Sequence, residues 1–282
     1  VAEVMRSGQL CGGPKVKEFE RAFAEWHGGD PDCYVAVSSG TAALQAALVC
    51  SGVGPGHEVI APALTFAATA TAALMLGARV VFADVNDHFQ MEETHARSLV
   101  TPFTQAVVPV HYLGDFCTVP PPRSDRYGNA AIIEDCAQAH GTSYNQPGRG
   151  VVNAGNAGDF ACWSFFATKA LTTGEGGMVR CPDAQTAEIA RQWRGHGLTN
   201  RWNHAFLGGN YRMTEMAAAI GLVQLTKIDR LTDNRRRVSR ALLDGTHEYP
   251  CLSCPAPRPE VKHTYFWAPV LVDEEALGMT TP

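Results

Sequence analysis

The stretch that decides the fold spans residues 34–50, Tyr-Val-Ala-Val-Ser-Ser-Gly-Thr-Ala-Ala-Leu-Gln-Ala-Ala-Leu-Val-Cys. Residues suited to a buried strand give way to two serines and a glycine, and then to an Ala- and Leu-rich run, 41–50, suited to a helix. Strand, tight turn and helix make the first half of a βαβ unit. The alternation continues outward from there. Runs rich in Val and Ile at 58–61, 79–83, 105–110 and 131–133, each bounded by Gly, Pro, Asp or Asn, read as strands, and 66–76 and 91–99 read as helices. Crossovers of this kind build a mainly parallel sheet in an α/β fold. Its ligands bind beyond the carboxyl ends of the strands.

Upstream, Val16, Phe19, Phe23 and Trp26 recur at helical spacing within 15–26, and His27-Gly28-Gly29 closes that helix. Downstream, 159–165 and 177–181 read as strands around a Gly-rich turn, 184–194 as a helix, and a long helix is expected from Met213 towards Leu243. Residues 195–210 are rich in Gly, Asn and aromatics and longer than a tight connection needs, so they read as functional or as an interface arm. After Pro250 the chain turns Pro-rich, and 263–272 is expected to open a strand of a new lobe. The expected division is a large domain over 1–245, N-terminal helix included, and the start of a small C-terminal domain over 246–282.

With 45% hydrophobic and 18% charged residues, the 282-residue chain has the composition of a folded core and none of the signature of disorder. Lys and Arg number 23 against 28 Asp and Glu, a net charge of −5, which gives no electrostatic footprint for nucleic acid or an anionic membrane. The charge-free stretch 59–78 is long enough to cross a bilayer, but it is mostly Ala and Thr and contains Pro62, so it reads as buried core. Nine cysteines, an odd number scattered along the chain, read as reduced thiols in a cytoplasm. The lone Cys251-Leu-Ser-Cys254 has no second pair, and no zinc is expected there.

Three places could carry chemistry. At Ser38-Ser39-Gly40-Thr41 a strand meets a helix start, where amides and hydroxyls converge as they would on a phosphate; alone, the motif reads first as an N-cap. Glu134 and Asp135 stand at the end of another strand, followed by Gln138 and His140. A carboxylate there can hold a cationic ring nitrogen or a metal, or can cap a helix. Asp135 and His140 have no further ligands at useful spacing, and no metal is expected. Lys169 follows an apolar strand and precedes a Gly-rich turn. Apolar surroundings lower an amine's pKa, as Schiff-base chemistry needs, although a lone lysine reads first as a surface residue. Together, a phosphate-binding helix start, an acid for a ring nitrogen and a nucleophilic lysine are the parts of a pyridoxal phosphate site.

Val-Ser-Ser-Gly-Thr-Ala-Ala-Leu (37–44), Val-Ile-Ala-Pro-Ala-Leu-Thr-Phe-Ala-Ala-Thr (59–69), Ile-Ile-Glu-Asp-Cys-Ala-Gln-Ala-His-Gly (132–141), Thr-Lys-Ala-Leu-Thr-Thr-Gly-Glu-Gly-Gly (168–177) and Asn-Tyr-Arg-Met-Thr-Glu-Met (210–216) closely resemble, in order, motifs of the DegT/DnrJ/EryC1/StrS family of pyridoxal phosphate-dependent sugar aminotransferases. The resemblance implies a fold-type I transferase with a smaller C-terminal α/β lobe. In it Lys169 would hold pyridoxal 5'-phosphate as a Schiff base and shuttle the proton, and Asp135 would pair with the pyridinium nitrogen. Gln138 would bond the ring hydroxyl and Phe66 would stack on the ring. Gly40, Thr41 and Ala42, with Ser164, would bind the phosphate. Asn210 would reach the phosphate of a neighbouring subunit, making a homodimer with shared sites, and His140 and Arg212 would lie on the substrate side.

The implied reaction moves an amino group from an amino acid, L-glutamate by resemblance, through pyridoxamine 5'-phosphate to a keto group of a nucleotide-linked sugar, in amino-sugar, antibiotic or polysaccharide biosynthesis. A cyclitol ketone is an alternative acceptor. Keto-sugar dehydratases of the family resemble forms with His at the lysine position, so Lys169 speaks against that branch; a non-catalytic regulator keeping the fold is the other alternative. Trp163, Ala167, Ala170 and Gly208-Gly209 depart from the family's usual residues around the acceptor, and they leave its identity open.

Overall fold

The computed structural model describes residues 1–118, 127–148, 150–200, 202–256 and 258–278. Helices α1 (Ala2–Ser7) and α2 (Pro14–His27) precede β1 (Tyr34–Val37); α3 (Gly40–Cys50) leads to β2 (Glu58–Pro62), α4 (Ala68–Leu74) to β3 (Arg79–Ala83), and α5 (Glu93–Ser98) to β4 (Thr104–Val107). Then come β5 (Ala131–Asp135), a hairpin of β6 (Ser143–Gln146) and β7 (Gly150–Asn153), β8 (Phe160–Ser164), β9 (Gly177–Arg180) and α6 (Ala184–Trp193). A second hairpin, β10 (Leu198–Asn200) and β11 (Asn203–His204), is followed by α7 (Glu215–Leu225), α8 (Ile228–Thr246), β12 (Leu252–Ser253), β13 (Val261–Lys262), β14 (Leu271–Val272) and α9 (Glu274–Leu277).

Among the described residues, seven strands form the central sheet in the order β1-β9-β8-β5-β4-β2-β3. Only β9 runs against its neighbours, so β1, β2, β5 and β8 all end on one edge. Period-2 alternation divides the side chains between two apolar layers. Val35, Val37 and Cys162 face α3, α4 and α6, whereas Tyr34, Ala36, Ala161 and Trp163 face α2 and α7. Phe19 and Phe23 of α2 are wholly buried in the second layer, where truncation to Ala would cost about 3–5 kcal/mol each. Glu215, the first residue of α7, fixes how α2 begins. Its carboxylate accepts from the Lys15 N–H at 2.7 Å and the Val16 N–H at 3.3 Å, donors that the start of a helix otherwise leaves unsatisfied.

The structure departs from the sequence reading in four places. The long helix expected from Met213 is two helices, α7 and α8, parted at Thr226 and Lys227. The strand expected over 105–110 is regular only to Val107, since Pro109 has no N–H for the ladder, although its carbonyl still accepts the Asp135 N–H at 2.9 Å. The hairpin β6–β7 gave no apolar alternation to read, and β13 extends it as a third strand. Of the strand expected over 263–272, only Leu271–Val272 forms, as β14 paired with β12. Tyr265 takes a φ of 50°, and the N–H groups of Thr264 and Phe266 donate instead to the carbonyls of Gly114 and Leu113, at 3.0 and 2.8 Å. Residues 279–282 of the expected small lobe lie outside the described residues. The stretch 59–78 forms β2 and α4, and among the described residues no helix is long and apolar enough to cross a membrane.

Candidate active site

The turn after β1 is built for a helix start. Ser39 caps α3, its Oγ accepting the Ala42 N–H at 3.1 Å, so the cap reading holds at this residue. The amides of Gly40 and Thr41 remain free among the described residues. A Cβ on Gly40 would come 2.7 Å from Cβ of Ser164, so glycine here lets the end of β8 sit against the positive end of α3. Tyr211 O accepts the Ser38 N–H at 2.8 Å and Arg212 bridges Val37, which lays residues 210–212 along the same turn. Asn210 and Arg212 are exposed there.

At the end of β5 the two adjacent carboxylates separate. Asp135 faces α4: its Oδ2 accepts the Thr69 hydroxyl at 2.9 Å and its Oδ1 the Ala137 N–H at 3.1 Å. Burial raises its pKa, and these donors together with the charge of Lys169 oppose the rise. Glu134 points the other way. Its Oε1 accepts the N–H groups of Ala157 and Gly158, at 2.8 and 2.6 Å, and its Oε2 accepts the Gly155 N–H at 2.8 Å and His111 Nε2 at 2.9 Å. The Cys117 N–H donates to His111 Nδ1 at 3.0 Å, so the ring proton sits on Nε2. Cys136 completes a trio with His111 and Glu134 whose ligand-type atoms lie within 4.8 Å, but the carboxylate's lone pairs are already filled. Glu134 is thus a clamp for the loop after β7.

Oε1 of Gln138 accepts the Leu113 N–H at 2.7 Å, which fixes the amide's orientation and leaves its NH2 to donate. Leu113 makes this bond from a left-handed φ of 61°. Because its carbonyl also receives the Phe266 N–H, the 264–266 strap docks on the same loop. The strap carries the Phe266 ring to 4.2 Å from Lys169 Nζ. Burial lowers the Lys169 pKa from its ordinary 10.5, against the pull of Asp135. Burial, and secondarily the charge of Lys169, pushes His140 down to about 3, and its buried Nε2 has no partner among the described residues. Phe66 is 71% exposed and so is no core aromatic. Its carbonyl accepts the Thr69 N–H at 3.1 Å, so one turn sends Phe66 outward and Thr69 inward to Asp135.

These residues fit pyridoxal phosphate. Free amides at the start of α3, an uncommitted amide at Gln138, an orphaned nitrogen on His140, a carboxylate with donors on both oxygens and an amine of lowered pKa lie along one sheet edge. Thr69, Leu113 and Phe266 escaped the sequence reading. The one signal for Thr69 was a hydroxyl inside an otherwise apolar core stretch.

The model of the DegT/DnrJ/EryC1/StrS aminotransferase family matches residues 1–281. Spore coat polysaccharide biosynthesis protein SpsC of Bacillus subtilis (strain 168) is 35% identical over 99% of the chain and 74% of its own length. GDP-perosamine synthase of Caulobacter vibrioides is 41% identical over 79% of the chain and 59% of its own length, so the chain spans less than two thirds of that relative. The crystal structure of S. venezuelae DesV in complex with a ketimine intermediate superposes with a TM-score of 0.82 at 32% identity, covering 94% of the chain and 70% of DesV.

Proposed function

The chain belongs to the DegT/DnrJ/EryC1/StrS aminotransferase family, and from that premise we propose that it is a pyridoxal phosphate-dependent enzyme moving an amino group from an amino acid to a keto group on a nucleotide-linked sugar. The observation that carries the reading is Lys169. Its amine lies under an aromatic ring, has a lowered pKa and feels the charge of Asp135, which is the environment of a nucleophilic lysine.

Pyridoxal phosphate, when bound, supplies an electron sink for the carbon that loses a proton. The protein does the rest. Lys169 Nζ, its pKa lowered by burial, would hold the cofactor covalently and would carry the proton on the substrate side. Asp135, held by Thr69 and Ala137, would pair with the ring nitrogen and favour its protonated form. The Gln138 amide would donate to the ring hydroxyl. Amides of Gly40 and Thr41, the Ser164 hydroxyl, and Ala42 in competition with Ser39, would receive the phosphate. Phe66 would stack on the ring. The lone pair of His140 Nε2 accepts a donor from the substrate side, where Arg212 also stands.

L-glutamate is the proposed amino donor, and the product feeds amino-sugar assembly. Exposure of Asn210, of Trp202 at 81% and of Leu207 at 96% supports an arm that reaches a second copy, so the working unit is a homodimer with shared sites. The proposed division is a large domain over 1–245 and the start of a small lobe over 246–282, and the end of α8 at Thr246 supports it. The proposed location is the cytoplasm.

A visible spectrum of the purified protein reconstituted with pyridoxal phosphate, before and after L-glutamate, tests the reading. The expected result is a visible band that bleaches with glutamate and is missing in Lys169→Ala. A folded protein with no visible band would overturn it.

A further inference from the structure

Thr69 stands in an alanine-rich helix, 1% exposed, where alanine would satisfy packing and where an unpaired hydroxyl would be costly. Its hydroxyl oxygen lies 2.9 Å from Asp135 Oδ2 and 2.9 Å from the hydroxyl of Thr65, in the bend before α4. The direction of these bonds follows from counting protons. An ionised carboxylate has none, so Thr69 donates to Asp135; its only proton is then committed, and Thr65 must donate to Thr69. The Ala137 N–H holds the other oxygen of Asp135 at 3.1 Å, so the carboxylate plane is pinned from both ends. We propose that Thr69, with Thr65 behind it, is a positioning residue that holds the Asp135 carboxylate ionised and aligned toward the cofactor's ring nitrogen. This rests on the reading of Asp135 given under Proposed function.

Hydroxyls in series polarise one another, so Thr65 strengthens the bond that Thr69 makes. The arrangement also ties two ends of the ring site together. The turn that orients Asp135 through Thr69 is the one that presents Phe66, so moving that turn would disturb the ring's face and its nitrogen partner at once.

The test titrates pyridoxal phosphate into the whole chain across pH, following the visible band and the dissociation constant, for wild type, Thr69→Val, Thr69→Ser, Thr65→Val and Asp135→Asn. Melting temperatures are recorded without cofactor. Valine keeps the shape and removes the hydroxyl, so Thr69→Val is expected to weaken binding about ten- to a hundredfold, the worth of a hydrogen bond to a charged group. The pH at which binding fails on acidification should also rise, because Asp135 without its donor takes a proton sooner. Thr69→Ser should stay within about threefold of wild type, with Thr65→Val between the two.

A Thr69→Val protein with wild-type affinity and acid limb, beside an Asp135→Asn protein that has lost binding, overturns the proposal. So does a lowered melting temperature with an unmoved acid limb, which is what a purely structural threonine gives. Asp135→Asn behaving as wild type overturns the underlying reading instead. Should Thr69→Val not fold, Thr65→Val decides: its acid limb moves upward in pH, or the polarised pair is wrong.

Discussion

Lys169 Nζ stands 4.2 Å from the centre of the Phe266 ring, and Phe266 is delivered there by the backbone of Leu113. Leu113 also holds Gln138 through its N–H. The apolar cover of the Lys169 amine and the orientation of the Gln138 amide therefore hang on one residue in a left-handed conformation.

Removing the ring should make Lys169 ordinary. Burial is the first cause of its lowered pKa, so Phe266→Ala admits water and moves the amine back toward 10.5. The rate of Schiff-base formation with pyridoxal phosphate at neutral pH then falls about tenfold for each unit of upward shift. Stopped-flow absorbance across pH measures this; an unchanged midpoint would show that the ring does not shield the amine.

Glu134 should matter to stability more than to chemistry. Glu134→Gln removes a charge that accepts four bonds and turns an NH2 group toward backbone N–H donors, leaving at least one buried donor unpaired. We expect a loss of about 2–4 kcal/mol in urea unfolding. Burial opposes the charged form, but His111 and the loop amides outweigh it and hold the carboxyl below its ordinary 4.5. This contribution is present above that value and is lost as pH falls through the depressed folded one.

Gly40 lies in the proposed phosphate cup, packed against Ser164. Gly40→Ala drives a methyl against Ser164 and should weaken pyridoxal phosphate binding by at least about tenfold, the cost of roughly one displaced charged hydrogen bond. Gly245→Ala in α8, where a Cβ meets open space, is the control and should leave binding alone. Equal affinities for the two variants would remove the cup from the α3 start.

Two buried histidines and a half-buried one predict acid sensitivity. Burial lowers the pKa of His27, takes His140 to about 3 and takes His263 to about 4. Each is neutral in the folded chain where the unfolded chain takes a proton, so its contribution is full above the ordinary 6.5 and is lost as pH falls from there through the folded values. Each can cost up to about 1.4 kcal/mol per pH unit in that window. Denaturation midpoints measured from pH 7 to 4 should fall steeply, and less steeply in His140→Gln. A flat profile would contradict the assignment of neutral histidines.

The sequence by itself determined the alternation of strands and helices, the edge on which a ligand would lie, and the order of Lys169, Asp135 and Gln138, because these are recorded in local periodicity and at strand ends. Resemblance of its motifs also picked Asp135 over its neighbour Glu134 for the ring nitrogen. Tertiary structure decided what each carboxylate meets, since only the sheet order sets α4 and Thr69, 66 residues away in sequence, against Asp135. The docking of Phe266 on Leu113, the division of α7 from α8 and the β13 strand added to the hairpin were likewise illegible. Each is a hydrogen bond, a packing contact or a chain reversal between distant segments, and such pairings leave no periodic mark in the residues that make them.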